Sequence, residues 1–198
     1  MNNINNKLNV SDTIFLIVIS VVIGIIWMIY GIFFHAIHPA LAALNLTGLV
    51  RGIWSISGGF FGVVLRKKYS AFLGNLLPSI VEMSFSTWGI YNLIYGVIEG
   101  VAAELLFILF GYNKASFRTM LIANLSSSTV SFIIDLFIFH LFRFSFSANL
   151  FRLVTDLTST ILFSIPVIIT IKYLLKLGYL DQYAIGQAYI HKPGNVPI

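Results

Sequence analysis

Six apolar stretches, each near the roughly 20 residues a helix needs to cross a bilayer, occupy most of this 198-residue chain. In hydrocarbon every backbone N–H and C=O must be satisfied within the segment, so stretches of this length can only be helices. The expected spans are Asp12–Phe34, Thr47–Leu65, Ser70–Phe85, Tyr91–Gly111, Ser116–Leu141 and Leu150–Leu175, the third short and interrupted by Pro78. Composition agrees: 58% of residues are hydrophobic, 10% charged, and the mean hydropathy is +0.93, whereas soluble domains carry about a quarter charged residues. The expected fold is an all-α integral membrane protein, a six-transmembrane-helix bundle over residues 12–177. A polar segment, 1–11, precedes it and a tail, 178–198, follows, and neither flank is expected to bury a core. The polar start leads into an apolar run too long for a cleavable signal.

The formal charge of +5 must be tested against topology before it is read as affinity for nucleic acid, because Lys and Arg collect in cytoplasmic loops. With the N-terminus in the cytoplasm, Lys7, Arg66, Lys67, Lys68, Lys114, Arg118, Lys172, Lys176 and Lys192 lie inside and Arg51, Arg143 and Arg152 outside. That asymmetry places both termini in the cytoplasm and accounts for the charge with no nucleic-acid partner. The absence of Cys removes disulfides, thiolate catalysis and Cys-based metal sites. No G-x-x-x-x-G-K-[ST] loop occurs, so nucleotide hydrolysis by that route is excluded. The serines at membrane depth have no nearby His, so neither an enzyme nor a resident cofactor is expected.

Five of the seven carboxylates, Glu82, Glu99, Glu104, Asp135 and Asp156, fall within the spans. An acid at the bilayer centre costs on the order of 3 kcal/mol by insertion scales, so several together mark a polar interior site. In this topology Glu82, Glu99, Asp135 and Asp156 converge from four helices on the outer half of the bundle, with Glu104 deeper. Helical spacing aligns Asn124, Ser128, Ser131 and Asp135 on one face of the fifth span. It likewise aligns Asn92, Tyr95 and Glu99 on the fourth, Asn75, Pro78 and Glu82 on the third, and Arg152, Asp156, Ser159 and Thr160 on the sixth. With Arg152 as the base beside this group, Glu82, Glu99 and Asp135 cannot all be ion-paired; they are protonated, hydrated or waiting for a cation. Arg152 and Asp156 at i, i+4 can satisfy each other, and Glu104 reads as a buried, protonated helix-packing acid.

Trp54, Trp88, Tyr91, Tyr95 and Phe132 lie in the same outer half, Trp88 and Tyr91 at the depth of an interfacial belt. A flat cationic heteroaromatic ring would use both the aromatics and the carboxylates. Ser and Asn side chains also serve as interhelical glue. Small-residue stripes occur at Ser20, Gly24 and Gly31, at Gly58 and Gly62, and at Gly96, Gly100 and Ala103; the first, on a span without a pocket acid, is expected to dock a partner. His35 and His38 near Glu82 suggest a divalent-metal site, but such a pair is more often structural, and no metal ligand set is assigned.

The segments GIWSISGGFFGVVLRKKYSAFLGNLLPSIVE, YGVIEGVAAELLF and NLSSSTVSFIIDLF resemble the YkoE-type substrate-binding (S) subunits of energy-coupling factor (ECF) transporters. The resemblance covers about Ser20 to Asp156. It implies a multi-pass protein of the bacterial plasma membrane that captures thiamin or its hydroxymethylpyrimidine precursor from outside. It also implies a transmembrane coupling subunit and two ATPase subunits as partners. By position, Trp54, Glu82, Glu104, Ser127, Ser128, Ser131, Asp135 and Arg152 match the family pattern, while Glu99 stands where Gln is more typical. The implied ligand set is Glu82, Glu99 and Asp135 for charge and amine hydrogen bonds and Tyr95, Phe132 and Trp54 for stacking, joined by Ser128, Ser131, Asn92, Trp88, Arg152 and Asp156. Ser20 and Gly24 correspond to the seam that docks the coupling subunit, and residues 35–45, HAIHPALAALN, are a candidate lid. The family is also labelled as cobalt-transport permease, so a metal permease and a stand-alone proton-coupled carrier remain as alternatives.

Overall fold

The computed structural model describes residues 7–86 and 88–191, so Lys192 and the outermost parts of both flanks lie outside the described residues. Among the described residues there are seven α-helices: α1 (Val10–Ala43), α2 (Ser57–Leu65), α3 (Ser70–Met83), α4 (Ile90–Phe110), α5 (Phe117–Ile138), α6 (Phe146–Lys176) and α7 (Ala184–His191). Four of them, α1, α4, α5 and α6, are individually long and apolar enough to cross a membrane.

Local chemistry fixes the helix starts. Asn9 and Asp12 form a reciprocal capping box on α1, and Ser116 and Ser145 accept from the backbone at the starts of α5 and α6. Two caps come from elsewhere in the chain. Asn75 of α3 accepts from Ser57 Oγ at 2.6 Å and from Gly58 N at 2.8 Å, capping α2. Glu104 of α4 accepts from the backbone N–H groups of Tyr69, Ala71 and Phe72 at the start of α3 and from the Tyr112 hydroxyl. It is thus a fully used helix-packing acid, with four donors around one carboxyl.

The second expected span is broken. Residues 47–50 form a 3-10 turn, a run of turns follows, and only Ser57–Leu65 is α-helical. Contact with α6 explains the break. A Cβ on Gly48 would lie 2.7 Å from the Arg152 carbonyl oxygen, and one on Gly52 would lie 2.3 Å from the Thr160 nitrogen. Gly52 N–H donates to Ser159 Oγ at 2.8 Å. On the other side Trp27 Nε1 donates to the Ile53 carbonyl at 3.1 Å and Tyr30 Oη to that of Val50 at 2.7 Å. External partners therefore replace the segment's own helical ladder.

The short α2 is the centre of the bundle. Gly58 meets Asn75 of α3, Gly59 meets Asn124 of α5 and Gly62 meets the Phe107 ring of α4, so three glycines admit three different helices. Around it lies a dry core that includes Phe61, Val64, Phe107, Met120, Ile171 and Leu175. The tail, expected to bury nothing, adds Leu180, Tyr183 and Ile185 to this core and forms α7.

Two further expectations are corrected in α1. The helix continues through residues 35–43, so the candidate lid is mostly helix, with Pro39 inside it. Ser20 and Gly24, expected to face a partner, are buried. A Cβ on Gly24 would lie 2.6 Å from Val81 Cβ and 2.8 Å from the Pro78 carbonyl oxygen, so this seam is spent on packing α1 against α3. The residues α1 leaves exposed are Ile14, Ile17, Val18, Val21, Ile25 and others on the opposite face.

A candidate substrate chamber at the polar end of the bundle

Opposite the dry core the helices diverge around a cavity of about 330 Å³, within the range of small-molecule sites. Of the expected residues, Trp54, Glu82, Trp88, Asn92, Tyr95, Glu99, Ser131, Asp135, Arg152 and Asp156 line it. Ser128 and Phe132 are buried on α5 but are not part of the lining. The inward stripe of α5 is as the spacing predicts: Asn124, Ser128, Ser131 and Asp135 are all buried.

The charges differ from expectation in one respect. Arg51, assigned from sequence to the outer end of the second span, reaches into the chamber and pairs with Asp135 through Nη1. The same nitrogen lies 3.9 Å from Asp156 Oδ2. Arg152 turns away from its i+4 neighbour Asp156 and places Nη2 3.4 Å from Asp135 Oδ2; Tyr95 Oη donates to Asp135 Oδ1 at 2.5 Å. Asp135 is therefore neutralised from within and is not an acid awaiting a cation. The sequence did carry a signal for Arg51, which shares an end of the bundle with Arg152 and precedes Trp54 by three residues.

Glu82 and Glu99 fit the original expectation. Glu82 accepts from Trp54 Nε1 at 2.9 Å, and Glu99 accepts from the Ser131 hydroxyl. Both carboxylates are buried, both line the chamber, and no ion pair forms on either among the described residues. Asn92 Nδ2 is a buried donor with no partner among the described residues. Buried polar groups left in this state are costly unless something else meets them.

Aromatic walls enclose these groups. Trp54 packs edge-on against Phe34 and Tyr30 with centroids 5.5 and 5.1 Å away. Trp88 stacks on His35 at 5.5 Å and meets Phe139 edge-on at 5.7 Å. His38 lies against Phe34. The two histidines thus serve the aromatic wall, and no group of three or more His, Cys, Asp or Glu able to hold a metal ion occurs among the described residues. Sequence reasoning did not assign Phe34 and Thr47, at the ends of the first two expected spans, to the lining, and placed His38 and Asn45 only in the candidate lid.

Comparison with known proteins places this architecture. The chain superposes on the crystal structure of an S-component of an ECF transporter with a TM-score of 0.87, covering 93% of this chain and 94% of that one at 23% identity. It is also similar to the putative HMP/thiamine permease protein YkoE of Bacillus subtilis (strain 168), 24% identical over 130 residues. That alignment spans 65% of this chain and 65% of the relative's own length. The family described as "ABC-type cobalt transport system, permease component" matches residues 11–130. With the match running through most of the bundle, and an S-component fold around it, the chain belongs to this permease family and is a multi-pass membrane transport subunit.

Proposed function

We propose that the chain is the substrate-binding subunit of an ATP-driven ECF-type importer of the bacterial plasma membrane, capturing thiamin or its hydroxymethylpyrimidine precursor from outside. A transmembrane coupling subunit and two ATPase subunits complete the transporter and supply the energy. In this reading the chain crosses the membrane six times with both termini cytoplasmic. The segment 47–65 makes one crossing through its turns and α2, and α3 makes another. The distribution of Lys and Arg supports that orientation, since the chamber then opens outward.

The observation that carries this reading is the pair Glu82 and Glu99: two buried carboxylates in an aromatic-walled cavity, each held by a single neutral donor. Thiamin combines a permanently cationic thiazolium with an aminopyrimidine, whose amine donates and whose ring nitrogens accept. Glu82 and Glu99 offer charge and acceptors, Asn92 Nδ2 offers an idle donor, and Trp54, Trp88 and Tyr95 offer ring surfaces. Arg152, Asp135 and Asp156 shape the floor through their own ion pairs. The name of the Bacillus relative points the same way.

The test is isothermal titration of the purified protein with thiamin and with the free hydroxymethylpyrimidine, read alongside tryptophan fluorescence. Saturable heat at micromolar ligand is the expected result, and folded protein that gives none with either compound overturns the ligand assignment. A second reading, a cobalt-type metal permease, is favoured by the description of the family. A stand-alone proton-coupled carrier would transport in vesicles that contain this chain alone; the ECF reading requires added coupling and ATPase subunits.

A further inference from the structure

We infer that Arg51 is a specificity-determining residue, its guanidinium filling the position that a divalent cation would otherwise take between Asp135 and Asp156. The inference rests on reading the chamber as the substrate site and deepens it, by stating which kind of cation the site refuses.

Asp135 comes from α5 and Asp156 from α6, and both are almost wholly buried. Two buried carboxylates facing one point are stabilised by a cation between them. Hard or borderline divalent ions with oxygen ligands meet that need in many proteins. Here Arg51 Nη1 pairs with Asp135 and lies 3.9 Å from Asp156 Oδ2, and Ser128 neighbours the same Asp156 carboxylate. Arg152 and the Tyr95 hydroxyl take up the remaining capacity of Asp135.

The resident cation cannot diffuse away. The Arg51 backbone belongs to the turn segment that Trp27 and Tyr30 anchor to α1 and that Gly52 anchors to Ser159 of α6. The close approach of Gly48 and Gly52 to the α6 backbone fixes its depth. With Asp135 and Asp156 so occupied, the carboxylates open to a ligand are Glu82 and Glu99, each engaged by a neutral donor. They can neutralise an organic cation through charge and hydrogen bonds. The chamber therefore selects an organic cation and rejects a divalent metal.

Calorimetry with cobalt(II) chloride and with thiamin tests this on wild type, Arg51→Met and Arg51→Lys, with folding checked by thermal melting. Wild type should give no cobalt heat, and about 1 mM cobalt should change its thiamin affinity less than about twofold. Arg51→Met should bind cobalt with a dissociation constant below about 1 mM. In that variant cobalt should weaken thiamin binding at least about fivefold. Arg51→Lys, which keeps the positive charge, should behave as wild type. A folded Arg51→Met that ignores cobalt overturns the inference, as does wild type whose thiamin is displaced by cobalt. The wild-type arm decides even if Arg51→Met does not fold. If wild type binds neither compound and Arg51→Met gains cobalt, the role of Arg51 stands and the thiamin reading falls.

Discussion

Glu104 and Glu99 lie five residues apart on the same helix and are both buried, yet they belong to different chemistries. Glu104, toward the dry end, collects three backbone N–H groups and a tyrosine hydroxyl. Glu99, toward the chamber, has one serine hydroxyl. Asp12 likewise closes the capping box of α1 and pairs with Lys67. A buried acid is thus not in itself a sign of function. What separates a fold-holding acid from a ligand-holding one is the number of internal donors that have already claimed it.

The harshest attack on this contrast is at the dry end. Gly62→Val places a side chain into the Phe107 ring, where even a Cβ would lie 2.3 Å away; folded protein should be absent from detergent extracts. Next comes the acid pair itself. Glu104→Ala strips the start of α3 of its acceptor and should cost about 3 kcal/mol or more, read as a fall in melting temperature. Glu99→Gln should leave melting nearly unchanged while weakening thiamin binding about tenfold or more in calorimetry. Reversal of these two signatures would break the distinction. The smallest effect is expected from Lys67→Met, which removes one ion pair from Asp12 and should cost about 1 kcal/mol, with ligand affinity untouched.

Much of this division was legible in the sequence. Hydropathy located the helices, and steps of three and four along α5 picked out its inward face because a helix repeats its direction at that interval. The broken second span was not legible, because hydropathy registers burial and is indifferent to whether a segment makes its own hydrogen bonds or borrows those of Trp27, Tyr30 and Ser159. Gly48 and Gly52 were the residues to weigh there. Arg51 was missed for a related reason: counting it as an outside charge served the topology and concealed that a long side chain reaches into the bundle. Helix α7 escaped because eight residues in a polar tail give little periodicity; just before it, the Tyr183 ring lies tilted against Phe15 of α1 at 4.4 Å.

One dimension of α1 has a consequence for how cargo arrives. Its 34 residues extend about 50 Å at 1.5 Å per residue, well beyond a hydrocarbon layer of about 30 Å. In the orientation proposed above, the last turns, bearing Phe34, His38 and Ala42 on the chamber wall, would stand clear of the hydrocarbon. A solute would then meet this aromatic post while still in water, and sorting would begin before it has shed its hydration.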